Sequence, residues 1–197
     1  GANLNFHSLR YISERAELGE RREALLGVTI PERQGEYLRF CKLIGDRAVT
    51  EFNYRVAGEK AHIFVGLALS GGDAERGQIL KLLRGGGYEV VDLTEDEVAK
   101  QHVRYMVGGR PQRELRESVF AFEFPEAPGA LRDFLVQLGT RWNITLFHYR
   151  SYGTDYGRVL VAFENVAGDE LFAQHVQDLG YECHEVTDSP AYKHFLA

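Results

Sequence analysis

One stretch of this chain recurs, and the recurrence constrains the fold more than any other feature. The run Leu26-Gly27-Val28-Thr29-Ile30-Pro31-Glu32-Arg33-Gln34-Gly35-Glu36-Tyr37-Leu38-Arg39-Phe40-Cys41 returns 94 positions later as Phe120-Ala121-Phe122-Glu123-Phe124-Pro125-Glu126-Ala127-Pro128-Gly129-Ala130-Leu131-Arg132-Asp133-Phe134-Leu135. Each copy reads as a strand of alternating apolar residues, a Pro-Glu-x-x-Gly turn, and a helix with apolar positions at i, i+3, i+4 and i+7. The first helix face is Tyr37, Phe40, Cys41 and Ile44, and the second is Leu131, Phe134, Leu135 and Leu138. A duplication of this kind predicts two copies of one supersecondary unit, each of about 80 residues.

The remaining segments extend the repeat. In the first unit, strands are predicted over 24–30, 49–56, 62–69 and 88–92, with helices over 35–44 and 72–84 and with Ile79, Leu82 and Leu83 inward. A helix from a Thr94/Glu97 capping box follows, and Gly108-Gly109-Arg110-Pro111 marks the boundary. The second unit repeats the order: strands over 119–124, 143–150, 158–163 and 181–185, helices over 128–138 and 169–179, a hairpin turn over 152–157, and a terminal helix over 191–196 begun by Ser189-Pro190. Thr94 matches Thr187 and Lys100 matches Lys193, both at a displacement of 93. The expected division is a connector helix over 1–23, a first unit over 24–110 and a second over 111–197. Two βαββαβ units give an α+β fold of ferredoxin-like type, with antiparallel sheets, helices on one face, and side-by-side packing that pairs sheet edges.

Composition narrows function. A net charge of −6 argues against nucleic acid as a partner, and without an apolar run long enough for a membrane span or a signal peptide the chain is expected to be soluble and cytoplasmic. The seven histidines form no HExxH and no paired Cys/His spacing, so no metal site is expected. No nucleophile motif appears, and Gly85-Gly86-Gly87 follows a helix instead of opening one, unlike a phosphate loop. Cys41 and Cys183 are expected to be small core residues. No catalytic residue is predicted.

The better site lies at the repeated turns. Gly35 and Gly129 fall at helix N-termini, where free backbone N–H groups can hold a carboxylate, and the helix faces beside them could wall an apolar pocket. The following strands end in Tyr54-Arg55 and Tyr149-Arg150, whose side chains alternate between sheet faces. The other reading of these residues, turns and tyrosines serving only the fold, stays open from pattern alone.

The segments Phe52-Asn53-Tyr54-Arg55, His102 to Arg110, Phe122 to Leu131 and Trp142 to Arg150 closely resemble the C-terminal regulatory part of biosynthetic threonine ammonia-lyase, also called threonine deaminase or dehydratase. The likeness extends over the whole chain. It implies tandem ACT-like subdomains that sense L-isoleucine, a feedback inhibitor, and L-valine, which counteracts it, in branched-chain amino-acid biosynthesis. It also implies effector-binding roles for Tyr54 and Tyr149 and links Tyr37 to regulation. Leu131, Leu135, Leu138, Arg104 and Arg150 are linked to feedback control, and Arg55 is grouped with the regulatory arginines. The family's pyridoxal phosphate sits in an N-terminal catalytic domain that these residues do not resemble, so no cofactor and no turnover are expected of this chain itself. Its expected partners are the two amino acids, its own catalytic domain, and copies of itself, as a dimer for the fragment and a tetramer for the parent. The competing expectation is a structural oligomerisation module with no ligand site.

Overall fold

A computed structural model describes residues 23–127, 129–151 and 155–197. The expected connector helix, except Glu23, which opens the first strand instead, and the tip of the 152–157 turn lie outside the described residues.

Eight strands form one antiparallel sheet. They are β1 (Glu23–Pro31), β2 (Val49–Arg55), β3 (Lys60–Ala68), β4 (Glu89–Asp92), β5 (Glu117–Pro125), β6 (Ile144–Arg150), β7 (Tyr156–Glu164) and β8 (Cys183–Glu185), in the spatial order β4-β1-β3-β2-β6-β7-β5-β8. The order is the same four-strand pattern read in opposite directions from the centre. The two units meet where β2 pairs with β6, Phe52 opposite Tyr149 and Tyr54 opposite Phe147. Each unit thereby covers one edge with the other, which removes two unpaired strand edges at once.

One face carries α1 (Glu36–Ile44), α2 (Gly72–Gly85), α4 (Ala130–Phe134, continuing as a π-turn through Gly139) and α5 (Glu170–Leu179). The core beneath them is continuous across the seam. Phe40 packs edge-on against Phe52, Phe52 against Phe147 at 5.4 Å between ring centres, and Phe147 against Phe134. The expected helix faces are inward: Phe40, Cys41, Ile44, Phe134, Leu135 and Leu138 are buried, with Tyr37 and Leu131 partly so. Leu82 is a correction. It is 40% exposed, whereas Ile79 and Leu83, on the neighbouring stripe of α2, are buried.

The opposite face is not bare. It carries α3 (Glu97–Gln101), a single 3₁₀ turn at Val103–Tyr105, and α6 (Pro190–Phe195). Ala99 packs on Leu25 and Phe64, and Tyr192 on Val119, Leu146 and Ala162. The capping box at Thr94 is overturned. Asp96 caps α3 by accepting from the Ala99 N–H at 3.0 Å, because the Thr94 hydroxyl is already taken, accepting from the Leu25 N–H and donating to Asp92. Ser189 caps α6, with Pro190 in its first turn as expected.

Candidate functional site

The two turns are built identically. Gly35 and Gly129 precede α1 and α4 with φ of 87° and 84°, a left-handed conformation that a side chain would strain. The Glu32 N–H donates to the Glu59 carbonyl at 2.9 Å, and the Glu126 N–H to the Asp155 carbonyl at 2.8 Å. Each turn is thus pinned to the end of the neighbouring hairpin. Each also points its glutamate at the tyrosine of the second strand: the Tyr54 hydroxyl donates to Glu32, and the Tyr149 hydroxyl donates to Glu126 Oε2 at 2.8 Å. Burial, reinforced by these carboxylates, raises both phenols above their ordinary value. They remain protonated donors near neutrality.

The duplicated frame carries different walls. Between the units, beside the second turn, lies a cavity of about 180 Å³ lined by Cys41, Ile44, Val49, Phe124, Leu131 and Tyr149 among others, with Asp46, Arg47, Glu126 and Arg132 as its charged groups. Arg47 is held by Glu75 and by the Ile44 carbonyl. Arg132, exposed, has no such partner among the described residues. One Glu126 oxygen is buried and likewise without a hydrogen-bond partner. Gly157 sits directly behind the pair: a Cβ there would lie 2.6 Å from the Tyr149 ring and 2.8 Å from that oxygen.

At the first turn the equivalent space is crossed by side chains. Tyr37, which matches Leu131, lays its ring 4.7 Å from that of Tyr54, and Gln34 donates to the Thr140 carbonyl at 2.6 Å. Behind Tyr54, in the register position that Gly157 occupies in the second unit, stands Ala61. Burial raises the Glu32 carboxyl above its usual range.

The residues expected to form the site therefore divide. Gly129, Leu131 and Tyr149 come together at the cavity, while Gly35, Tyr37 and Tyr54 gather at the first turn. Leu135 and Leu138, on the π-turn that continues α4, are core residues. The arginines expected to be regulatory lie on the other sheet face. Arg55 makes a two-pronged ion pair with Glu117 at 2.5 and 2.9 Å, and Arg104 pairs with Glu51 at 3.0 Å. Arg150 lies over the Tyr105 ring at 5.3 Å. Sequence reasoning passed over Glu32, Glu126 and Arg132 as site residues. The recurrence of Pro-Glu in both turns was the available signal for the first two. Burial pushes the Cys41 thiol up to about 12, so it is an inert wall of the cavity and not a nucleophile. Among the described residues no cluster of three metal-ligating side chains occurs, and no helix is long and apolar enough to cross a membrane.

Two ACT-like βαββαβ units joined edge to edge, with the four main helices over one face and a cavity at their junction, make a tandem module of two copies of one fold. The sequence family described as the C-terminal regulatory domain of threonine dehydratase matches twice, over residues 14–103 and 108–196, and the chain belongs to that family. It is 63% identical over its whole length to the biosynthetic L-threonine dehydratase of Escherichia coli. It is 41% identical over its whole length to the mitochondrial threonine dehydratase of Saccharomyces cerevisiae, and 38% identical over 98% of its length to the chloroplastic biosynthetic enzyme of Arabidopsis thaliana. It spans 38%, 36% and 33% of those proteins, respectively.

Proposed function

We propose that this chain is the effector sensor of a biosynthetic threonine dehydratase, binding L-isoleucine as feedback inhibitor with L-valine opposing it. The observation that carries the reading is the cavity between the units. Its walls are apolar, from Ile44, Val49, Phe124 and Leu131, and its charged groups are two carboxylates and two guanidinium groups. A branched aliphatic zwitterion has the same make-up. The carboxylate would meet Arg132, and the side chain would meet the apolar wall.

The cavity draws one wall from each unit, Cys41 to Val49 from the first and Phe124 to Arg132 from the second. A ligand there favours whichever packing of the units closes both walls on it. It shifts a regulatory equilibrium by its difference in affinity between the two packings. Isoleucine and valine differ by one methylene, about 1–3 kcal/mol in an apolar pocket. Opposite effects from so small a difference fit the divergence of the two turns, Tyr37 against Leu131 and Gln34 against Pro128, better than two equal sites. The catalytic chemistry, with pyridoxal phosphate, belongs in this reading to the rest of the dehydratase.

Thermal unfolding with L-isoleucine, L-valine and L-alanine tests the reading. A ligand at 100 times its dissociation constant adds about 2.7 kcal/mol, a rise of roughly 5–10 °C for a chain of this size. Isoleucine is expected to give it and alanine is not. No rise with either branched amino acid returns the chain to a purely structural assembly role.

A further inference from the structure

Glu126 borders the cavity, yet among the described residues the only donor its carboxylate receives is the Tyr149 hydroxyl at 2.8 Å. Its other oxygen is buried against Gly157 with no hydrogen-bond partner among the described residues. A carboxylate accepts at about four lone-pair positions, and a buried oxygen is costly while its own stand unused. The missing donors are those of a cation. Resting on the ligand reading just given, we infer that Glu126 is the acceptor for the ligand's α-ammonium group, so that the site admits only molecules carrying a free, charged α-amine.

Three observations support the assignment. An α-ammonium group brings three N–H donors and a positive charge, which answers both the unused acceptor and its sign. Arg132 stands on the same cavity without an ion-pair partner among the described residues, suited to the other end of a zwitterion. The Pro-Glu turn with its tyrosine partner is retained in both units, Glu32 with Tyr54 and Glu126 with Tyr149, although Arg33/Ala127, Gln34/Pro128 and Tyr37/Leu131 around it have diverged. A glutamate needed only to hold the tyrosine could be glutamine, whose carbonyl accepts the same hydroxyl. The charge is the part left to explain.

The test is calorimetric titration of the 197-residue chain with L-isoleucine and with the 2-oxo acid of the same carbon skeleton, in the wild type and in Glu126→Gln and Glu126→Asp, each first shown to unfold cooperatively. The wild type is expected to prefer isoleucine over the oxo acid by at least about tenfold, the scale of a charge-assisted hydrogen bond. Glu126→Gln should lose about 10- to 100-fold in isoleucine affinity without weakening the oxo acid, and Glu126→Asp should keep the preference for the amine. Equal wild-type affinity for the two ligands, or isoleucine binding to Glu126→Gln within about twofold of wild type, overturns this inference and leaves the isoleucine reading standing. A wild-type chain that binds neither ligand overturns both.

Discussion

Gly157 shows how much a single missing atom can set. It lies on β7 opposite Phe124, and any side chain there would drive into the Tyr149 ring, which is fixed in the β6 packing. Gly157→Ala is therefore expected to displace the Tyr149–Glu126 pair, cost about 1–3 kcal/mol of overpacking, and, under the proposed sensor reading, lower isoleucine affinity; urea unfolding and the same titration read the two effects. The matching position in the first unit is Ala61, opposite Ile30. Glu32 makes a prediction of opposite sign to most surface carboxylates. Burial raises its folded value above the ordinary 4.5, so its contribution to stability is fully present below the unfolded value and is lost as pH rises through the folded one. Glu32→Gln keeps an acceptor for Tyr54 and removes that loss. Its stability relative to wild type is expected to improve between pH 4 and pH 7, measured as the difference in urea midpoints.

At the scale of elements, the sheet edges are completed by side chains. β4 and β8 are only four and three residues long, and beyond each the ladder continues for one more rung. The Leu93 N–H donates to the Leu25 carbonyl, and the Leu25 N–H then donates to the Thr94 hydroxyl at 3.2 Å; the Val186 N–H donates to Val119, whose N–H donates to Thr187 at 3.0 Å. Thr94→Val leaves the fully buried Leu25 N–H without an acceptor and is expected to cost about 1–3 kcal/mol. Thr187→Val should cost less, since Thr187 is partly exposed where Thr94 is buried. Thermal midpoints of the two variants order them. The same threonines mark what sequence could and could not tell. Periodicity of apolar residues placed the strands and main helices, because burial on one face imposes a period that composition displays. The matching of Thr94 with Thr187 was visible, but a hydroxyl three residues ahead of Glu97 reads equally as a helix cap. Only the approach of Leu25, 69 residues away in sequence, decides between them. The site divides likewise. Gly129, Leu131 and Tyr149 were legible from the repeat, whereas Arg47 and Asp46 reach the cavity from the other unit, and no local pattern reports a contact across a seam.

Across the whole molecule the two units are held on both sheet faces at once. On the helix side the aromatic row from Phe40 through Phe52 and Phe147 to Phe134 makes one core of two copies. On the other side Arg55, at the end of β2, reaches Glu117 of β5, the Gly109 carbonyl at 3.1 Å and the Leu196 carbonyl, while Glu117 also accepts from Thr145 and from Tyr192 at 2.7 Å. The Arg55 and Glu117 side chains are 3% and 2% exposed, respectively. With both faces joined, neither unit can unfold without exposing the other's core, so calorimetric and van't Hoff enthalpies are expected to agree for a single transition of all the described strands. The ion pair permits a sharper test. Arg55→Met leaves Glu117 charged in a dry environment and should cost about 3–5 kcal/mol, whereas Arg55→Met with Glu117→Leu should recover most of that loss, since a buried pair contributes little net stability over an apolar replacement. Recovery in the double variant would assign the pair to fixing the register and angle of the seam. In that case the double variant should keep cooperative unfolding yet, under the proposed sensor reading, bind isoleucine differently from wild type, because the cavity takes its two walls from the units that the seam aligns.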